Sequence, residues 1–148
     1  MSTLLVKIEE SVSINGKTRG SSISNEIANV DRVYHQVLNP GTVESRVVSF
    51  GATAGYAAGE MISGDLRYLR ITNINTSDVK STLRVVGTDE AYAVELNQNE
   101  SFVLFNDTLD AFTGATAATA SIGATGAAYI TASGNALIEV FAASDGSV

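Results

Sequence analysis

The sequence predicts an all-β, single-domain β-sandwich preceded by an N-terminal hairpin or arm. Three observations lead there. Apolar and polar residues alternate with a period of two over most of the chain, as in "LLVKIEE" and "LRYLRITN". Turn signals interrupt that alternation about every ten residues, a spacing typical of sandwiches and barrels. The chain has 148 residues, one domain's length, enough to bury a core without staples, and the lack of cysteine rules disulfides out.

Leu4, Val6 and Ile8 share one face of "LLVKIEE". "SVSING" adds Val12 and Ile14 and ends on Asn15-Gly16, a strong hairpin signal. Residues 1–22 are therefore expected to form the arm or hairpin, with "KTRGSS" as an exposed loop. Residues 23–148 are expected to form the sandwich. Residues 23–38 fit two periods. Ile23, Ile27, Val30, Val33 and Val37 fall at helical spacing, yet "VDRVYHQVL" is rich in β-branched and aromatic residues. The second pattern favours a strand from about Val30 to Leu38 following a helical turn, with a helix over residues 23–38 as the open alternative.

Asn39-Pro40-Gly41 ends that element, and "SRVVSF" is the next strand. "GATAGYAAGEMISGD" is a Gly-rich connection from which Met61 and Ile62 dip into the core. In "LRYLRITN", Leu69 and Ile71 take one face and Tyr68, Arg70 and Thr72 the other. "NINTSDVKS" is a polar loop. "TLRVVG" and "AYAVEL" pair across residues 87–90, and "NQNE" turns the chain into "SFVLFN". "TLDAF" is a weak strand. "AAYITAS" and "ALIEVFAAS" read as a final hairpin about Ser133-Gly134-Asn135.

Charge narrows the function classes. The net charge is −7. All nine Lys and Arg lie at or before Arg84, and eight acids follow it unopposed. An acidic chain without a basic stripe is a poor ligand for nucleic acid or an anionic membrane. Such a division suits head-to-tail contact between copies or docking on a basic partner, with acids that only keep the protein in solution as the open alternative.

The run from Phe112 to Asn135 has no charge and consists largely of Ala, Gly, Thr and Ser. Phe112, Ile122, Tyr129 and Ile130 interrupt it as apolar anchors. Gly and Ala suit strands poorly unless another surface approaches closely. The charged residues that normally blunt an exposed edge are missing. A packed strand at an interface is therefore the favoured reading, against a loop or a mobile segment.

Catalytic chemistry is sparse. His35 is the single histidine, no "GxSxG" elbow occurs, and His35 lies in a regular element, so it reads as a packed or surface residue. "NDTLD" brings Asn106, Asp107 and Asp110 together, but without EF-hand spacing, and reads as an Asx-type turn. Glu95 and Glu100 flank a turn and face solvent, unlike a glycosidase pair. No cofactor is expected, and catalytic and metal-binding residues are expected to be none.

"RYLRITNINTSD" followed by "YAVELNQNESFVLFND", across residues 65–107, resembles small virion structural proteins of tailed bacteriophages of aquatic and cyanobacterial hosts. "INGKTRGSSISNEIANVDRVYHQV" is a looser echo. The resemblance implies a jelly-roll-like sandwich and a non-enzymatic role, foremost as a capsid decoration (cement) protein stabilising the head shell. It also implies a virion location after synthesis in the host cytoplasm. The partners would be the major capsid protein or other virion proteins, and copies of itself in a trimer or other cyclic oligomer. A tail, adaptor or fibre-base component, or a carbohydrate-binding host-recognition sandwich, is the alternative. Under the first reading the interface draws on Leu4, Val6 and Ile8 of the arm and on Phe112, Ala118, Ile122 and Tyr129 of the uncharged run.

Overall fold

The computed structural model describes residues 2–51, 59–62, 65–86, 91–105 and 127–145. Thirteen strands are described: β1 (Ser2–Glu9), β2 (Val12–Ile14), β3 (Lys17–Arg19), β4 (Ser22–Val30), β5 (Arg32–Leu38), β6 (Ser45–Gly51), β7 (Glu60–Ile62), β8 (Leu66–Asn73), β9 (Ser81–Val86), β10 (Ala91–Leu96), β11 (Ser101–Phe105), β12 (Ala127–Ala132) and β13 (Ile138–Ser144). The described residues include no α-helix.

The body is an all-β sandwich. One sheet runs β11-β8-β13-β5 and the other β10-β9-β12-β6-β7. All pairs are antiparallel except the short parallel contact of β6 with β7. Set β7 aside and number the remaining eight body strands in chain order. The first sheet then reads 1-8-3-6 from its β5 edge, and the second 2-7-4-5 from β6. Successive strands alternate between sheets except the fourth and fifth, β9 and β10, which pair as a hairpin, and the last lies beside the first. This is the winding of a jelly roll.

Period-two patterning explains which side chains fill the space between the sheets. Leu69 and Ile71 of β8, Ile138, Val140 and Ala142 of β13, Leu83 and Val85 of β9, and Ala128 and Ile130 of β12 join one core with Phe50 and Met61. At about 25 cal/mol per Å² of apolar surface removed from water, burial on this scale is the main stabilising term. β6 breaks the alternation: Val47 and Val48 are both buried. The register jumps there, with Ala128 opposite Val48 but Tyr129 opposite Arg46. Val47 is the extra residue of a bulge, which turns two consecutive side chains inward.

Asn73 ends β8 at one end of the sandwich and is fully buried. Its Nδ2 donates to the carbonyls of Val79 (2.8 Å) and Leu96 (3.0 Å), and its Oδ1 accepts from Asn75 N (3.2 Å). Its own backbone N–H donates to the Glu100 carbonyl, and its carbonyl accepts from Asn99 N. One side chain thus ties the 74–80 loop to the end of β10.

Three expectations are corrected. "KTRGSS" is not a loop: Lys17–Arg19 is β3, and β4 begins at Ser22. Residues 23–38 hold no helical turn; apart from Asp31 they belong to β4 and β5. The segments "AAYITAS" and "ALIEVFAAS" do not form a hairpin, because β12 pairs with β6 and β9 whereas β13 pairs with β5 and β8. Residues 133–137 cross between the sheets. The reason is visible in the core: both segments are apolar enough to be central strands, and β12 and β13 each take two neighbours.

Candidate interaction surface

The arm is one long β-ribbon. Its pairing keeps a single register from Leu4 opposite Ile27 out to Ile14 opposite Lys17. Asn15 (φ 52°) and Gly16 (φ 73°) close the tip, both left-handed, as a two-residue turn between right-twisted strands requires. Between the β1/β4 and β2/β3 ladders, Glu10 N donates to the Ser21 carbonyl at 2.9 Å. Gly20 is held so tightly here that a Cβ would overlap the Glu10 carbonyl oxygen. At the other end Ser2 faces Val30, so Ala28 and Asn29 together oppose Thr3. Asn29 (φ 59°) sits in this bulge, which bends the ribbon where it meets the body. From Val6 to the tip is nine residues, about 30 Å at the usual rise per strand residue.

The ribbon has two unlike faces. Alternation and register place Leu4, Val6, Ile8, Val12, Ile14, Ile23 and Ile27 on one, together with Glu10, Lys17, Arg19, Ser21 and Asn25. The other carries Lys7, Glu9, Ser11, Ser13, Thr18, Ser22, Ser24 and Glu26, with Leu5 its one large apolar side chain. The base of the apolar face is seated on the chain itself. Val6, Ile27, Val30 and Ala143 form a small buried cluster, flanked by Leu4, Tyr68 and Phe141. Beyond the base the same face is open: Ile8 is 36% exposed, Val12 50%, Ile14 55% and Ile23 59%. A lone two-stranded ribbon is marginal in water. This one is tethered at its base, and along its free length it exposes Ile8, Val12, Ile14 and Ile23 among Glu10, Lys17, Arg19 and Ser21.

The surface receiving the base is the outer face of the four-stranded sheet. The register aligns His35 of β5 with Phe141 of β13, which faces Arg70 of β8, which faces Val103 of β11. A polar belt crosses this face. His35 Nε2 lies 2.9 Å from Glu139 Oε1, and Arg70 Nη1 lies 2.7 Å from Glu139 Oε2. Arg70 also donates to Thr72 Oγ1 at 2.8 Å, and the Thr72 and Ser101 hydroxyls are 2.8 Å apart. Hydrogen bonds from His35 and then Arg70 hold the Glu139 carboxyl below its ordinary range. The His35 ring packs 5.6 Å from Phe141, and Tyr68 meets Phe141 edge-on at 5.8 Å. Val33, Val37 and Val103 stand exposed around the belt.

Both Glu139 oxygens are engaged, one by His35 and the other by Arg70. Among the described residues no group of three His, Cys, Asp or Glu could hold a metal ion.

Of the residues expected at an interface, Leu4 and Val6 lie at the arm's base and Ile8 at the start of its free face. Tyr129 is far from them in topology. It points out of the five-stranded sheet beneath Arg84, whose Cζ lies 4.7 Å from the ring centroid and whose guanidinium grips Glu44 at 2.8 and 2.7 Å. Phe112, Ala118 and Ile122 lie outside the described residues, as do Asn106, Asp107 and Asp110. Where the small-residue run is described, its cover is the chain's own: Ala127, Ala128, Ile130 and Ala132 are buried in β12, a central strand of the sandwich. Missed in sequence were Ile23, Lys17 and Arg19 as members of the apolar arm face, and His35, Glu139 and Arg70 as one belt. The first group was legible from the Asn15-Gly16 turn, which sets the register; the belt joins residues 104 positions apart and left no local signal. No known protein family, characterised protein or solved structure matches the chain.

Proposed function

We propose that this chain is a non-enzymatic structural subunit of a phage virion, foremost a decoration protein of the head shell. The observation that carries the reading is the arm: a tethered ribbon whose apolar face leaves the body uncovered and has no chemical task of its own. A large apolar face kept in water is unfavourable unless something covers it in the working state. The jelly roll beneath it suits the role by analogy, since shell and lectin proteins use this architecture, although folds host many functions. The belt fits too, as a rigid, self-satisfied platform rather than a reactive centre. The resemblance of residues 65–107 to small virion proteins supplies the setting. Multiple weak arm contacts would bind a shell through avidity.

The test is direct. Purified protein is mixed with undecorated phage heads, pelleted with them and located by cryo-electron microscopy. Binding at regular shell positions, lost in an Ile14→Asp variant that still folds, is the expected outcome. A wild-type protein that stays in the supernatant, or particles carrying it only on the tail, would overturn the head assignment.

A further inference from the structure

We infer that the free half of the arm seats on the outer face of the four-stranded sheet of a second copy of this chain. The inference deepens the assembly reading above and rests on it for its setting, but it names the two surfaces.

The molecule already shows that these surfaces match. Leu4, Val6 and Ile27 of the arm's apolar face are packed against Tyr68, Phe141 and Ala143 of that sheet within one molecule. The arm then leaves the body, so Ile8, Val12, Ile14 and Ile23 do not cover their own sheet. The same sheet face leaves Val33 and Val37 54% exposed and Val103 41% exposed. Each molecule thus carries apolar side chains left uncovered on the arm and others left uncovered around the polar belt of the sheet, and the sheet already takes the base of a ribbon of this chemistry.

Charge selects a second copy as the occupant. Beyond the waist at Glu10 and Ser21, residues 11–20 contain Lys17 and Arg19 and no acid, so the tip of the arm is cationic, whereas Glu9 and Glu10 lie at the waist. Residues 31–148 carry six Lys and Arg against thirteen Asp and Glu. Two bodies repel each other, whereas arm end and body attract, which favours arm-to-body over body-to-body encounters. The contact joins unlike surfaces, so copies link head to tail and close into a ring when the rotation allows. His35, Glu139 and Arg70 cross the acceptor face already paired among themselves, so covering them strands no lone charge.

The experiment uses the full chain and three variants: Val12→Asp/Ile14→Asp on the arm, Val37→Asp on the sheet, and Arg84→Ala as a control on the opposite sheet. Light scattering after size exclusion reads the mass, and circular dichroism checks that each variant folds. Wild type and the control are expected to associate, with the arm and sheet variants monomeric. Mixing those two variants should restore a one-to-one dimer and nothing larger, because each retains the surface the other lacks. A monomeric wild type, loss of association in the arm variant alone, or no dimer in the mixture would overturn the inference. So would wild type that remains monomeric yet binds vesicles of phosphatidylserine and phosphatidylcholine through the arm. Self-association without head binding would leave the inference standing and remove the decoration role; head binding by a monomer would do the reverse.

Discussion

Asn73 shows what a single buried polar residue does for this fold. Its side chain satisfies the Val79 and Leu96 carbonyls and the Asn75 N–H. Asn73→Leu leaves those groups unpaired and should cost roughly 3 kcal/mol, given about 1–3 kcal/mol for an unsatisfied buried group. Urea denaturation measures it. Ser81 is the contrast: its hydroxyl is buried with no hydrogen-bond partner among the described residues. Ser81→Ala should leave stability unchanged or raise it by about 1 kcal/mol in the same assay. Glu139 makes stability pH-dependent. Its carboxyl is held below the ordinary range in the folded chain by His35 and Arg70. The stabilisation is therefore full above the unfolded carboxyl's pKa and is lost as pH falls through the lower, folded value. Thermal melts from about pH 5 to about pH 3 should fall less steeply for Glu139→Gln than for wild type. Parallel curves would show that the belt adds nothing to stability.

At the scale of the element, the arm is held by backbone geometry at three points: the turn at Asn15 and Gly16, the close approach at Gly20 and the bulge at Asn29. Gly20 is the sharpest of these, because any Cβ overlaps the Glu10 carbonyl. Gly20→Val should splay the ribbon between its two ladders while the body stays intact. Hydrogen exchange should then speed up at residues 12–19 and remain slow in β8 and β13. Protection unchanged in the arm would show that the waist can relax. At Asn29 a left-handed β-branched residue is penalised by roughly 1–2 kcal/mol, so Asn29→Ile should loosen the arm's seat on Tyr68 and Phe141.

The whole molecule divides by energetics into a body and an appendage. The main core contains no arm residue, and the arm's own cluster borrows Ala143, Tyr68 and Phe141 from the sheet. Deleting residues 1–30 should leave a body that unfolds cooperatively, with a small loss from uncovering that patch, and should abolish association. A truncated chain that cannot fold would mean that the arm is part of the folding unit.

Much of this was readable from residue order. The all-β class, the Asn15-Gly16 turn, the facing of Leu69 and Ile71 against Tyr68, Arg70 and Thr72, and the burial of Met61 all follow from local periodicity. Alternation and turn chemistry act over a few residues, so a single stretch contains the whole cause. Strand partners do not work that way. β12 and β13 are adjacent in sequence, apolar and β-prone, and nothing local says that they belong to opposite sheets. The bulge at Val47, the belt joining His35 to Glu139, and the self-cover of Ala127–Ala132 depend on which strand lies beside which. That choice is made by burying two sheets against each other at once, a cooperative outcome of the entire chain that no window of it contains.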